Sequence, residues 1–170
     1  MDKRDGIWNK VFEIFYDSFY FELLSSKIAS KWLFVDEITK ILVAITTSGS
    51  AIAGWSLWNK EGFQFIWIFL AGTGALLSVL HATLNVSNRV KEWTDMKRKF
   101  SSLKIECETN RGIMEMNPEF EIESHTNFYI EKKRVYGELY SNLPNDFLIS
   151  KKFRINIQEE VNHSISNLIT

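Results

Sequence analysis

Two stretches without Lys, Arg, Asp or Glu lie back to back in the middle of the chain, parted only by Lys60 and Glu61. Ile41 to Asn59 covers 19 residues and Gly62 to Asn88 covers 27. About 20 helical residues cross the hydrocarbon core of a bilayer. The pair therefore reads as a transmembrane helical hairpin, although the mean hydropathy of the whole chain is only −0.12. The expected fold class is all-α, divided into four parts. Residues 1–35 form a cytosolic or interfacial amphipathic helix, and 36–88 form the hairpin. Residues 89–117 form a stalk helix continuing the second span, and 118–170 a small cytosolic helical domain for sensing or oligomerisation.

Hairpin and flanks leave no room for a large enzyme domain in 170 residues. Net charge is −1, so bulk basicity does not point to nucleic acid, and direct DNA binding is not expected. The single cysteine, Cys107, cannot build an internal disulfide framework and suits a reducing compartment. Acids at Asp2, Asp5, Asp17 and Glu22, with no small-residue cleavage site behind a short apolar run, argue against a cleaved leader.

Of the 20 Lys and Arg residues only Lys60 lies between positions 41 and 88, while Lys27, Lys31 and Lys40 precede the spans and Arg89, Lys91, Lys97, Arg98 and Lys99 follow them. The positive-inside rule places both termini in the cytosol, for a bacterial inner membrane, and the Asn59-Lys60-Glu61-Gly62 turn outside. Trp55, Trp58, Phe63, Phe65 and Trp67 cluster at that turn as an outer aromatic belt.

Small residues recur at helical spacing in both spans. Thr46, Ser50 and Gly54 share a stripe in the first, with Gly49 and Ala53 beside it. The second carries Ala71 and Ala75, then Gly74, Ser78 and Ala82. Such stripes let helices approach closely in lipid, either within the hairpin or between copies of the chain. His81, Thr83 and Asn85 fall in the inner third of the second span. They line a water-exposed path or, if the hydrocarbon ends near Leu80, sit among headgroups.

Trp8, Val11, Phe12, Phe15, Phe19 and Leu23 recur at three- and four-residue spacing before the hairpin. The density of aromatics favours contact with the membrane interface over a water-soluble core, with a buried packing helix as the alternative. After the hairpin, Val86, Val90, Trp93, Phe100, Leu103 and Cys107 form a heptad-like seam with no breaker until Asn117-Pro118. A further helix is expected from about Glu119 to Asn142, with Phe128, Val135, Leu139 and Leu143 on one face. A last one is expected from Asn145, as N-cap after Pro144, towards Asn167, with Phe153, Ile157, Val161, Ile165 and Leu168 aligned. Alternation over Phe153 to Ile157 leaves a strand open there.

No catalytic constellation emerges: no glycine-rich phosphate loop, paired metal-ligand spacing or nucleophile elbow. No enzyme, metal or cofactor is expected. His125 and His163 read as packing or surface residues, and Cys107 as a small core residue. One cluster suits an anion. Lys132, Lys133, Arg134 and Tyr136, with Lys151, Lys152 and Arg154 on the next helix and Asn127 nearby, offer cations beside aromatic faces and amides. An ordinary solvated face, balanced by Glu131 and Glu138, is the competing reading.

The two spans, the short 59–62 loop and the Arg89 to Cys107 stalk together resemble, in layout, the SLATT group of two-span prokaryotic antiviral defence effectors. They are similar also to a membrane effector of type III CRISPR systems whose C-terminal domain senses cyclic oligoadenylate. The resemblance covers about Met1 to Cys107 and transfers no ligand-binding position. It implies a homo-oligomer, a tetramer or larger, that disrupts or depolarises the lipid bilayer. It further implies a trigger, either a nucleotide second messenger such as a cyclic oligonucleotide, or a defence-system partner protein. A constitutive scaffold for a partner enzyme, or a small channel or transporter subunit, is the alternative.

Overall fold

A computed structural model of the chain describes residues 3–57, 64–116 and 121–169; the side chains at 47–57, 64, 66–67, 70–71 and 168–169 lie outside that description. The expected all-α class holds: the elements are α1 (Lys3–Leu57), α2 (Gln64–Leu84), α3 (Val86–Met116), α4 (Ile122–Ser141) and α5 (Lys151–Ile169), with no strand among the described residues. Two compact units result, one formed by Met1–Ile28 with Glu92–Thr170 and the other by Ala29–Lys91.

The first unit is a helical bundle built on two heptad-like seams. On α1, Val11, Ile14, Phe15, Leu24 and Ile28 are buried, and so are Ser18 and Ser25. On α3, Trp93, Met96, Phe100, Leu103, Cys107 and Met114 are buried, so the expected stalk seam is a packing face. Phe21 stacks on Phe100 with centroids 5.2 Å apart and meets Tyr140 edge-on at 5.6 Å. The N-terminal aromatics expected at a membrane interface are thus engaged in this bundle, because α3 and α4 offer them aromatic partners. The α5 face Ile157, Val161 and Ile165 is buried as the spacing predicts, and helix, not strand, covers Phe153 to Ile157.

Two polar details fix this unit. Asn110 continues the α3 seam three residues beyond Cys107, is buried, and lies 3.2 Å from His125 Nδ1 on α4. The start of α5 is Lys151 rather than the vicinity of Asn145. Asp146 accepts the Leu148 N–H at 2.9 Å, a local turn that competes with helix, and also the Trp93 indole N–H at 2.9 Å. Ser150 then takes the capping role, its Oγ accepting the Phe153 N–H at 3.2 Å.

In the second unit, α1 turns a narrow stripe inward: Ala29, Trp32, Asp36 and Thr39 are buried. Gly74 of α2 is buried against this helix, where an added Cβ would come within 2.7 Å of Thr46 Oγ1. Of the small residues on α2, Gly74 thus packs against α1, whereas Ala75, Ser78 and Ala82 are exposed. The packing at Gly49, Ala53, Gly54 and Ala71 lies outside the side-chain description, and the 59–62 turn and the 117–118 break lie outside the described residues.

The expected continuous helix from the second uncharged stretch into the stalk is broken between α2 and α3. Asn85 separates α2 from α3 with φ 51°, a left-handed conformation that Asn tolerates better than most residues. Its N–H bonds the Ala82 carbonyl and its own carbonyl accepts the Arg89 N–H, each at 3.1 Å. Among the described residues no helix is long and apolar enough to cross a membrane.

Candidate functional site

The inward stripe of the second unit ends in a polar hub. Asp36 is 7% exposed, and its carboxylate collects donors from three helices. Oδ2 takes the Lys40 ammonium at 2.5 Å, one turn along α1. Oδ1 takes His81 Nε2 from α2 at 2.8 Å and the Ser87 hydroxyl from α3 at 3.3 Å. A carboxylate facing Nε2 selects the tautomer with the proton on that nitrogen. A cavity of about 330 Å³ opens beside it, lined by Thr39, Lys40, Val43, Ala44, Ser78 and His81.

Of the three span residues singled out by sequence, only His81 joins this hub. Thr83 is exposed, and Asn85 is the helix break. Asp36 and Ser87 were not legible as its partners. Asp36 lies five residues before Ile41, where the uncharged stretch opens, but its partner His81 lies 45 residues away.

The basic cluster of the first unit is largely spent on internal pairs. Lys132 bridges Glu106 at 2.8 Å and Glu131 at 2.7 Å, and these bonds raise its pKa above the ordinary lysine value. Arg134 pairs with Glu138 at 2.6 Å, and Lys133 lies 5.2 Å over the Tyr136 ring. Tyr136 belongs to the aromatic cluster with Phe21, Phe100 and Tyr140, and burial pushes its phenol up, with the Asp17 carboxylate adding to the effect. Asn127, Lys151, Lys152 and Arg154 are exposed.

A third feature, also in the first unit, was missed by sequence. The Arg111 guanidinium lies 4.3 Å from the Trp8 ring centroid and 4.7 Å from that of Phe12. Its Nε is buried with no hydrogen-bond partner among the described residues. Burial lowers its pKa from the usual arginine value, against the opposing pull of Glu115 and Glu108. No group of His, Cys, Asp and Glu among the described residues is arranged to hold a metal ion.

No protein-family model matches the chain, and no curated protein or solved structure matches it either.

Proposed function

We propose that the chain is a two-span membrane effector that oligomerises and permeabilises or depolarises the membrane when a cytosolic signal acts on its helical bundle. The inverted polarity of the second unit carries this reading. Its inward stripe holds Asp36 and Thr39, whereas Phe34, Ile41, Ile45, Phe65, Ile68, Phe69, Leu76 and Val79 are more than half exposed. Water rewards the opposite arrangement, and large exposed apolar patches mark a membrane or a partner. Inside lipid, the bonds from His81 and Ser87 meet the need of Asp36 for partners. Gln64–Leu84 contains no Lys, Arg, Asp or Glu over 21 residues.

Two helices per chain cannot enclose a pore, so several copies must associate. The exposed Ala75 and Ser78 offer a small-residue face for that contact. A signal shifts the assembly only by binding the open arrangement better than the closed one. The setting in prokaryotic antiviral defence, and a cyclic nucleotide as the signal, rest on the resemblance of layout alone.

Expression with fractionation and a potential-sensitive dye tests the reading. The chain should remain with membranes after alkaline carbonate washing, and triggering should collapse the potential. Recovery in the soluble fraction without detergent overturns it. Retention in the membrane with no change in potential, triggered or overexpressed, would leave the anchoring scaffold instead.

A further inference from the structure

The loop between α4 and α5 holds an aromatic ring out of the bundle. Phe147 is 72% exposed, and it is the one exposed phenylalanine among the described residues of the first unit. A slack loop could turn such a ring inward, but this loop is braced. Asp146 accepts the Trp93 indole N–H and the Leu148 N–H, each at 2.9 Å, and its carbonyl accepts the Ile149 N–H at 3.2 Å. Trp93 is fully buried, so the brace is anchored in the core. Water disfavours a large apolar ring fixed in this position.

The helix that follows opens with cations. Lys151, Lys152 and Arg154 are exposed, and unlike Lys132 and Arg134 they form no ion pair among the described residues. Lys151, Lys152 and Ile155 are turned away from the buried Ile157 and Val161, and Ile155 is half-exposed. From Leu139 to Gln158 the only acid is Asp146, whose carboxylate is taken by Trp93 and Leu148. Glu159, exposed one turn beyond Ile155, ends the patch. Cations gathered about an exposed ring are complementary to an anionic lipid surface: the ring enters the headgroup layer and the cations meet phosphates. A bilayer answers both features at once, and the exposed apolar surface of the second unit is a separate reason to place the chain on one.

We infer that residues 147–155 form a docking patch for an anionic phospholipid bilayer, with Phe147 among the headgroups and Lys151, Lys152 and Arg154 over them. This rests on the proposed function only in that the spans bring the chain to a membrane. Three cations and one ring would hold a free domain weakly and reversibly. Tethered to a chain already in the bilayer, they act at a high effective concentration.

Amide hydrogen exchange of the full chain reconstituted in vesicles tests the patch. One set of vesicles is phosphatidylcholine alone, the other equal parts of phosphatidylcholine and phosphatidylglycerol. Exchange at residues 145–150 should be slower in the anionic set, and the difference should vanish at about 1 M salt, where charges are screened beyond about 3 Å. Each cation is worth about fivefold in the ratio of docked to free, so Lys151→Glu with Lys152→Glu should lower that ratio at least about 25-fold. Acids in a first helical turn suit the helix dipole, so this double variant should leave the melting temperature unchanged or raised. Phe147→Ser should also abolish the slowing. Equal exchange in the two vesicle sets, or slowing that survives salt or the double variant, overturns the inference. So does equal slowing in lipid-free detergent, which would mark a contact between copies of the chain. A chain that does not enter the bilayer sinks the permeabilisation reading instead. The patch then stands if the chain floats with the phosphatidylglycerol vesicles alone, and falls if it floats with neither set or with both.

Discussion

Asp36 and His81, 45 positions apart, meet at 2.8 Å in the interior of the second unit, and Asp36 is buried where the surrounding surface is apolar. The same carboxylate also holds Lys40 on Oδ2 and Ser87 on Oδ1, so an amide in its place removes the charge and sets an NH2 group against a donor. Asp36→Asn in detergent should lower the melting temperature by several degrees, on the scale of about 2–4 °C per kcal/mol for a chain of this size. Ser87→Ala, which loses only the 3.3 Å bond, should have a smaller effect. Equal melting of wild type and Asp36→Asn would rule out a structural role for the hub.

Gly74 admits a close approach of α2 to α1, with Thr46 Oγ1 2.7 Å from the position a Cβ would take. Gly74→Val should therefore destabilise by about 1–3 kcal/mol through overpacking. Gly72→Ala has open space and should cause no loss. Thermal melts of the two variants in the same detergent decide the point, and a Gly74→Val melt matching wild type would contradict the packing.

Ser18 and Ser25 are fully buried on the α1 seam, and their hydroxyls lack hydrogen-bond partners among the described residues. Replacing either by Ala removes a desolvated polar group and a single atom's volume. Each variant should gain about 1 kcal/mol or more, seen as a raised midpoint in denaturant or heat. A loss of stability would mean that the hydroxyls are partnered in solution.

Burial raises the pKa of Asp17, and a bond from Tyr136 works against that rise. A carboxyl whose folded pKa lies above its unfolded value stabilises below the unfolded value, and that contribution disappears as pH rises through the folded one. Asp17→Asn, which keeps an acceptor for Tyr136, should thus be more stable than wild type at pH 7. The advantage should shrink towards pH 4. Melting curves at the two pH values show whether the difference has this sign.

Cys107 is fully buried and its thiol is pushed up to about 12, chiefly by desolvation. The thiolate is the reactive species, so native chain at pH 8 should resist alkylation while denatured chain reacts at once. Mass spectrometry after iodoacetamide treatment reports both. Rapid native labelling would place Cys107 on an accessible surface.

The all-α class, the α3 seam from Trp93 to Cys107 and the buried face of α5 were legible because helical periodicity is a local signal. Three things were not. The N-terminal aromatics carry a pattern that suits either a lipid interface or a bundle, and only the presence of Phe100 and Tyr140 opposite Phe21 decides between them. The break at Asn85 is a backbone choice that an apolar pattern does not encode. The cations from Lys132 to Arg134 read as a ligand patch because their partner Glu106 lies on another helix, remote in sequence. The hub shares this last difficulty, since its four groups come from three elements.

The Asn110–His125 contact has a further consequence. Hydrophobic seams alone match nearly as well when one helix slides along another by a turn, about 5.4 Å. A buried amide and imidazole that satisfy each other at 3.2 Å match in one alignment only, and any slide would strand both in an apolar layer. The pair acts as a key cut for a single lock: it adds little to how tightly α3 and α4 hold, and a great deal to where they hold.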